Sequence, residues 1–239
     1  MHKKDTTLLS LSALSLLAAQ ANGQINFSSG HIDIGIAYEE GEWEPHVHDE
    51  ENDIEYESDA LLFHGAEANS TNFRATVPEL ASFGFLGDAG DDIFIFPQVE
   101  NTSLPFIGIA AEEIDSADFA TNEITLELSG FSGPGDFFLY QIDGFGAPNL
   151  LYDTTDGLND VLTLNIGSHA HYNFAFSAEG VYNVTLTASG ILNDGFNTLS
   201  TSAPATFFFG VNAVPEPSAF ALIAGCMKLG FVAIRRRRS

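Results

Sequence analysis

The feature that most constrains this chain is the spacing of its apolar residues. Between residues 22 and 213, short alternating or continuous apolar runs are separated by Gly, Pro, Asn or Asp, and turn residues at intervals of about ten are typical of consecutive strands. No segment carries an apolar period of 3.6 residues over the length of a helix, and only 111–119 is expected to form a turn or two. The pattern predicts an all-β domain, an antiparallel β-sandwich of the immunoglobulin-like or Greek-key type.

Individual strands are predicted from the same runs. In the first of them isoleucines alternate with His31, Asp33 and Gly35, which places these three residues on the face opposite the isoleucines. The 21 phenylalanines supply large apolar side chains for the core. The predicted strands are 31–38, 43–48, 60–64, 93–96, 106–109, 123–129, 136–142, 149–152, 160–166, 169–176, 181–189 and 204–211.

The N-terminus has the three parts of a secretory signal peptide. Lys3 and Lys4 form a basic start, residues 8–19 are apolar apart from serines, and small residues at 19 and 21 match the A-x-A cleavage pattern. The apolar run is shorter than the roughly 20 residues that span a bilayer, which favours a removable signal over an anchor. We therefore expect a signal peptide at 1–21, cleaved by signal peptidase after Ala21.

The C-terminus carries a motif, an apolar segment and a basic cluster in that order. A Pro-Glu-Pro motif precedes the apolar residues 219–234, and four arginines follow, which is the arrangement of a stop-transfer helix whose end stays on the cytoplasmic side. Residues 214–239 resemble the PEP-CTERM sorting tail of Gram-negative bacteria, although Cys226 and Lys228 depart from its plain apolar helix. The residues that carry the resemblance are Pro215, Glu216, Pro217, Arg235, Arg236, Arg237 and Arg238. The resemblance implies a short transmembrane helix, transient anchoring in the inner membrane, cleavage by an exosortase-type enzyme, and a place in the cell envelope or on the cell surface.

Charge is distributed very unevenly along the chain. Residues 22–213 contain 31 acidic residues and a single basic one, Arg74, so their formal charge is −30. Such a surface repels nucleic acid and anionic membranes and attracts cations, which excludes a nucleic-acid-binding function. The only cysteine lies in the tail, so the domain has neither a disulfide nor a catalytic thiol.

Five histidines of the domain fall into three short motifs, His31-x-Asp33, His46-x-His48 and His169-x-His171. Residues i and i+2 of a strand face the same way, about 7 Å apart, so each pair could approach one ion. Neutral imidazole suits Zn²⁺, Cu²⁺ or Ni²⁺. The leading hypothesis is therefore a zinc site formed by the histidines of the second and third motifs, with both His31 and Asp33 of the first motif nearby. The alternative is that the histidines occupy exposed strand faces and bind nothing.

Two segments around these motifs resemble a known group of surface proteins. Residues 30–38 and 43–48 resemble the start of the choice-of-anchor M domain. Residues 167–176, continuing into 180–185, resemble the related actinobacterial surface-anchored repeat, with Phe174 where that repeat has tryptophan. The resemblance implies an envelope-displayed β-domain. Some relatives are encoded beside transporters resembling metal-uptake systems, which implies a connection with metal transport.

Other possible sites carry a weaker signal. The acidic loops 88–92 and 153–160 are rich in oxygen ligands for Ca²⁺, although neither has the spacing of an EF-hand. Tyr38, Trp43 and Tyr172 could stack on a surface polysaccharide, and a purely structural or adhesive envelope protein is the remaining alternative. The sequence has no G-x-S-x-G, H-E-x-x-H or phosphate-loop motif, so we expect a protein that is not an enzyme.

Overall fold

The computed structural model describes residues 24–158 and 160–213, and this part of the chain is built almost entirely of strands. Short 3₁₀ helices are formed by Ala81–Leu86 and Ser116–Asp118. The strands are β1 (Ile25–Phe27), β2 (Gly30–Glu39), β3 (Glu42–Asp49), β4 (Ile54–Glu57), β5 (Leu61–Gly65), β6 (Arg74–Thr76), β7 (Asp92–Phe96), β8 (Pro105–Ala110), β9 (Glu123–Ser132), β10 (Phe137–Ile142), β11 (Pro148–Asp153), β12 (Val161–Asn165), β13 (His169–His171), β14 (Asn173–Phe176), β15 (Gly180–Ile191), β16 (Leu199–Thr201) and β17 (Ala205–Val211).

The strands form three sheets. The first has the order β1-β5-β17-β15-β9-β12, with β16 added on β15. The second is β11-β10-β14-β7-β6 and the third is β13-β8-β2-β3-β4. The prediction of an all-β fold is confirmed, but the sheets are not purely antiparallel, because β1 with β5, β5 with β17, and β2 with β8 pair in parallel. Parallel neighbours need long crossover connections, which leave no turn signal in the sequence.

One large apolar cluster draws residues from all three sheets. Phe209 of the first sheet packs against Phe96, Phe137 and Phe176 of the second, with ring centroids 5.2–6.3 Å apart. Side chains alternate along β10, so its other face belongs to a second cluster, which the 3₁₀ segment covers with Phe83. The abundance of phenylalanine therefore serves the core, as the sequence suggests.

Each of the twelve predicted segments contains a strand, with ends that differ by at most a few residues. Segment 169–176 contains two strands, because the chain passes from the third sheet to the second at the buried Tyr172. The short strands β1, β4, β6 and β16 were not predicted. Of these, β4 lies in the acidic segment after β3 and pairs with it.

The two predicted targeting segments, the signal peptide at 1–21 and the sorting tail at 214–239, lie outside the described residues. Within 24–158 and 160–213, no helix is both long and apolar enough to cross a membrane.

Candidate metal centre

The histidine motifs meet on the third sheet, on the face turned away from the core. Along β2, Ile32 and Ile34 enter the core while Asp33 faces the opposite way, as the alternation predicts. Asp33 is paired with Gly108 of β8 on one side and with His48 of β3 on the other. Gly108 is in turn paired with His171 of β13, so one row across the sheet joins the three motifs.

A second row runs beside the first. Gly35 of β2 lies between Ala110 of β8 and His46 of β3, and Ala110 is paired with His169. His31 lies two residues before Asp33, on the same face of β2. All five histidines of the three motifs therefore share one face of one sheet.

Four residues of this face form a compact group of ligands, namely His31, Asp33, His169 and His171. One ligand atom from each lies within 4.8 Å of all the others, so the group could hold a metal ion. Asp33 Oδ1 is 3.1 Å from His169 Nε2 and 3.4 Å from His31 Nε2. Ligand atoms on a tetrahedral zinc, each bonded at about 2.0–2.1 Å, are about 3.4 Å apart. These two separations therefore fit one ion bound by all three atoms.

Several buried polar atoms of this group make no hydrogen bond within the protein. His31 Nε2, His169 Nε2, His171 Nδ1 and both carboxylate oxygens of Asp33 are buried without a hydrogen bond. A buried polar atom without a partner costs about 1–3 kcal/mol, and native proteins contain few of them. A cation held by this group would interact favourably with such atoms.

A glycine makes room for the centre. A Cβ placed on Gly108 would overlap Asp33 Oδ1 and would lie 2.5 Å from His169 Nε2. Glycine inside a strand often marks a place where another group must approach the backbone closely. The absence of a side chain at Gly108 therefore leaves the space that Asp33 and His169 occupy.

An aromatic ring holds two of the histidines in position. Phe106, the partner of His31 in β8, stacks on the imidazole of His171 with ring centroids 3.5 Å apart and planes within 10°. It also contacts His31 at a centroid distance of 5.3 Å. A ring held in this way has little freedom to rotate, so its nitrogen keeps one direction.

Burial sets the protonation of the group. It lowers the pKa of His171 to about 4, helped by the neighbouring His169, and it also lowers the pKa of His31. Both imidazoles are therefore in the neutral form that binds metals. Burial, together with the nearby Glu50 carboxylate, raises the pKa of Asp33 to about 8. A metal ion bound at this carboxylate would take the place of the proton and would stabilise the charged form of Asp33.

His46 and His48 are outside this group of four. The sequence hypothesis paired them with the two histidines of β13, whereas the structure groups those two with His31 and Asp33. His48 Nδ1 lies 3.1 Å from Glu50 Oε1, and His46 Nε2 lies 3.5 Å from a carboxylate oxygen of Glu113. The reason is the strand order, because β2 lies between β3 and the strands β8 and β13.

Several residues of the site were not predicted. Gly108 and Phe106 lie in the predicted strand 106–109, and the interior glycine was the available signal. Glu112 Oε2 lies 3.8 Å from His169 Nδ1, and Glu113 follows it, both in the segment after β8. Nothing in the local sequence distinguishes these glutamates from the many others.

The acidic loops predicted as calcium sites form no group of three ligand side chains in the described residues. Asp91 Oδ2 accepts a hydrogen bond from the Asp88 backbone, and Asp153 Oδ1 accepts one from the backbone of Thr155, so both carboxylates stabilise their own turns. His64 of β5 is outside the group of four, and burial lowers its pKa.

The aromatic residues considered for sugar binding belong to the core. Tyr38 and Tyr172 are 8% and 5% exposed. Trp43 packs against Tyr38 and Phe119, and its Nε1 donates a hydrogen bond to another side chain, Ser200 Oγ. Tyr38 and Tyr172 are therefore too buried to stack on a sugar, whereas Trp43 is partly exposed.

Comparison of the chain with models of protein families, with curated proteins and with solved structures gives no match in any of the three.

Proposed function

We propose that this domain binds a transition metal, zinc in the first place, through His31, Asp33, His169 and His171. The observation that carries the proposal is that one ligand atom from each of these four residues lies within 4.8 Å of all the others, in a group where five buried polar atoms make no hydrogen bond. Three neutral imidazoles and one carboxylate are the donors that zinc accepts in a four-coordinate site, and the same imidazoles suit copper and nickel.

The donor set supports binding rather than catalysis. Catalytic zinc sites usually have three protein ligands and leave the fourth position to water, whereas a site closed by four protein ligands holds the metal without activating water. The site is nevertheless accessible, because the side chains of His31 and His169 are 31% and 23% exposed. A metal ion can therefore enter from solvent, and the −30 charge of the domain raises the local concentration of cations.

We also propose that the domain acts outside the cytoplasm, displayed on the cell envelope. Support comes from the sequence alone: the signal peptide, the tail that resembles PEP-CTERM, and the resemblance to choice-of-anchor M domains. The partners implied are signal peptidase, an exosortase-like enzyme and, through the metal, an uptake system. Mass spectrometry of the protein from its native cells should show an N-terminus at Asn22, and an intact N-terminus would contradict export.

Calorimetry on residues 22–213 tests the metal site. The wild-type domain should bind zinc with a defined stoichiometry at about 0.15 M salt, where the general attraction of the acidic surface is screened. The double variant His169→Ala/His171→Ala removes two of the four ligands and should lose the tight binding. The matched control is His64→Ala, which removes a histidine outside the group and should bind as the wild type does. Equal binding by wild type and double variant would show that zinc only screens the surface charge.

A further inference from the structure

We infer that the same face of the third sheet holds a second metal ion, bound by His46 Nε2 and the carboxylate of Glu113. The inference rests on the proposed function, because it adds a second ion beside the first centre. His46 lies on this face but outside the group of four, and its buried side chain has a ring nitrogen without a hydrogen bond.

His46 is oriented as a metal ligand. Its side chain is buried, the residue being 8% exposed, and its Nδ1 donates a hydrogen bond of 2.9 Å to the backbone oxygen of Glu44. With the proton on Nδ1, Nε2 presents a lone pair, and this Nε2 is buried without a hydrogen-bond partner. A backbone carbonyl on one nitrogen and a free lone pair on the other is the usual arrangement of a metal-binding histidine.

The atom that faces this lone pair is a second acceptor. Glu113 Oε1 lies 3.5 Å from His46 Nε2, and the Glu113 side chain is 37% exposed. With His46 neutral, both atoms are acceptors and do not attract each other, whereas a cation bound between them would be attracted to both. With Zn–N and Zn–O bonds of about 2.0–2.2 Å, ligand atoms of one zinc are about 3.4 Å apart, which is close to the observed separation.

A glycine leaves space for the His46 ring, as Gly108 does for the first centre. A Cβ on Gly35 would overlap the His46 imidazole at Nε2, in the same way that a Cβ on Gly108 would overlap the first group. The face therefore has two places where a glycine admits a histidine nitrogen above the sheet. Each of these two histidines has a carboxylate beside it. Glu112 approaches His169, and Glu113 approaches His46.

The two centres should differ in metal affinity, because they differ in the number of protein ligands. The first offers four protein ligands and the second offers two, so water must complete the second coordination sphere and its affinity should be lower.

Zinc titration of the whole 22–213 domain tests the inference, with stoichiometry from calorimetry and metal analysis after gel filtration. The wild type should bind two ions, one more tightly than the other. Both His46→Ala and Glu113→Gln should bind one ion and keep the tight event. Glu113→Gln removes the charge from a partly exposed side chain, so it keeps the test valid if His46→Ala fails to fold. His64→Ala should still bind two.

The outcomes separate the two claims. A wild-type domain that binds one ion, with the same single ion in both variants, overturns the second site and leaves the proposed function intact. Two ions in the wild type and in both variants also overturn it, because the second ion is then bound elsewhere. No tight binding in the wild type overturns the proposed function itself.

Discussion

Gly108→Ala tests the geometry of the first centre with a single methyl group. The added Cβ would overlap Asp33 Oδ1 and lie 2.5 Å from His169 Nε2, whereas real Cβ atoms do not approach heavy atoms closer than 3.0 Å. Both ligands must therefore move by several tenths of an ångström or more, while a metal site tolerates about 0.2 Å in its bond lengths. The backbone of Gly108 does not have a positive φ, so alanine is compatible with the strand itself.

The size of the effect follows from linkage. At a zinc concentration about 100 times Kd, binding stabilises the wild type by about 2.7 kcal/mol, which for a domain of this size raises Tm by about 5–11 °C. If the displaced ligands weaken zinc about 100-fold, the same concentration gives only about 0.4 kcal/mol and a rise of about 1 °C. Overpacking should also lower the stability of the metal-free variant by about 1–3 kcal/mol.

The assay is thermal unfolding of wild type and variant, each with excess EDTA and with zinc. The matched control is Gly144→Ala, because a Cβ there meets no heavy atom within 4 Å. The control should keep the full zinc-dependent rise in Tm. An undiminished rise in Gly108→Ala would refute the conclusion that Asp33 and His169 bind zinc above this glycine.

Three further outcomes are expected. Zinc affinity should increase as pH rises to about 8 and then level off, because the pKa of Asp33 is about 8 and zinc must displace its proton, whereas His171, with a pKa of about 4, is already neutral. Calorimetry in buffers of different ionisation enthalpy should detect the released proton. Zinc binding without proton release at pH 7 would contradict the assignment of Asp33 as a ligand. Because the folded pKa of Asp33 exceeds its unfolded value, the free energy of unfolding of the metal-free domain should fall as pH rises from about 4 to about 8. Asp33→Asn should weaken zinc binding and should make this dependence of the unfolding free energy on pH less steep. An unchanged pH dependence in urea titrations of the variant would count against the raised pKa. Tyr152→Phe removes a buried hydrogen bond of 2.7 Å to the Leu126 oxygen and should lower the free energy of unfolding in urea by about 1–2 kcal/mol. The increase in unfolding free energy on adding zinc should stay the same. A smaller increase would show that the site depends on the whole core.

The fold class could be predicted because local signals determine it. Alternating apolar residues and frequent turn residues identified the main strands, including β2, whose isoleucines enter the core while Asp33 faces away. Four strands of three or four residues were missed, because so few residues carry no measurable period. The parallel pairing of β2 with β8 could not be predicted either, since it joins segments with no shared turn.

The candidate site was predicted in its residue types but not in its grouping. The motifs identified His31, Asp33, His169 and His171, and two-residue spacing correctly placed each pair on one face. The order β13-β8-β2-β3 decides which pairs meet, and it separates His46 from the four. Strand order depends on long-range packing, so a single sequence does not reveal it.

The most direct test of the central claim is a crystal structure of the zinc-loaded domain, with anomalous diffraction measured at the zinc absorption edge. We expect a strong anomalous peak about 2.0–2.2 Å from a ring nitrogen of each of His31, His169 and His171 and from a carboxylate oxygen of Asp33. A fully zinc-loaded crystal with no peak at these four residues, or with peaks only among the exposed acidic side chains, would contradict it.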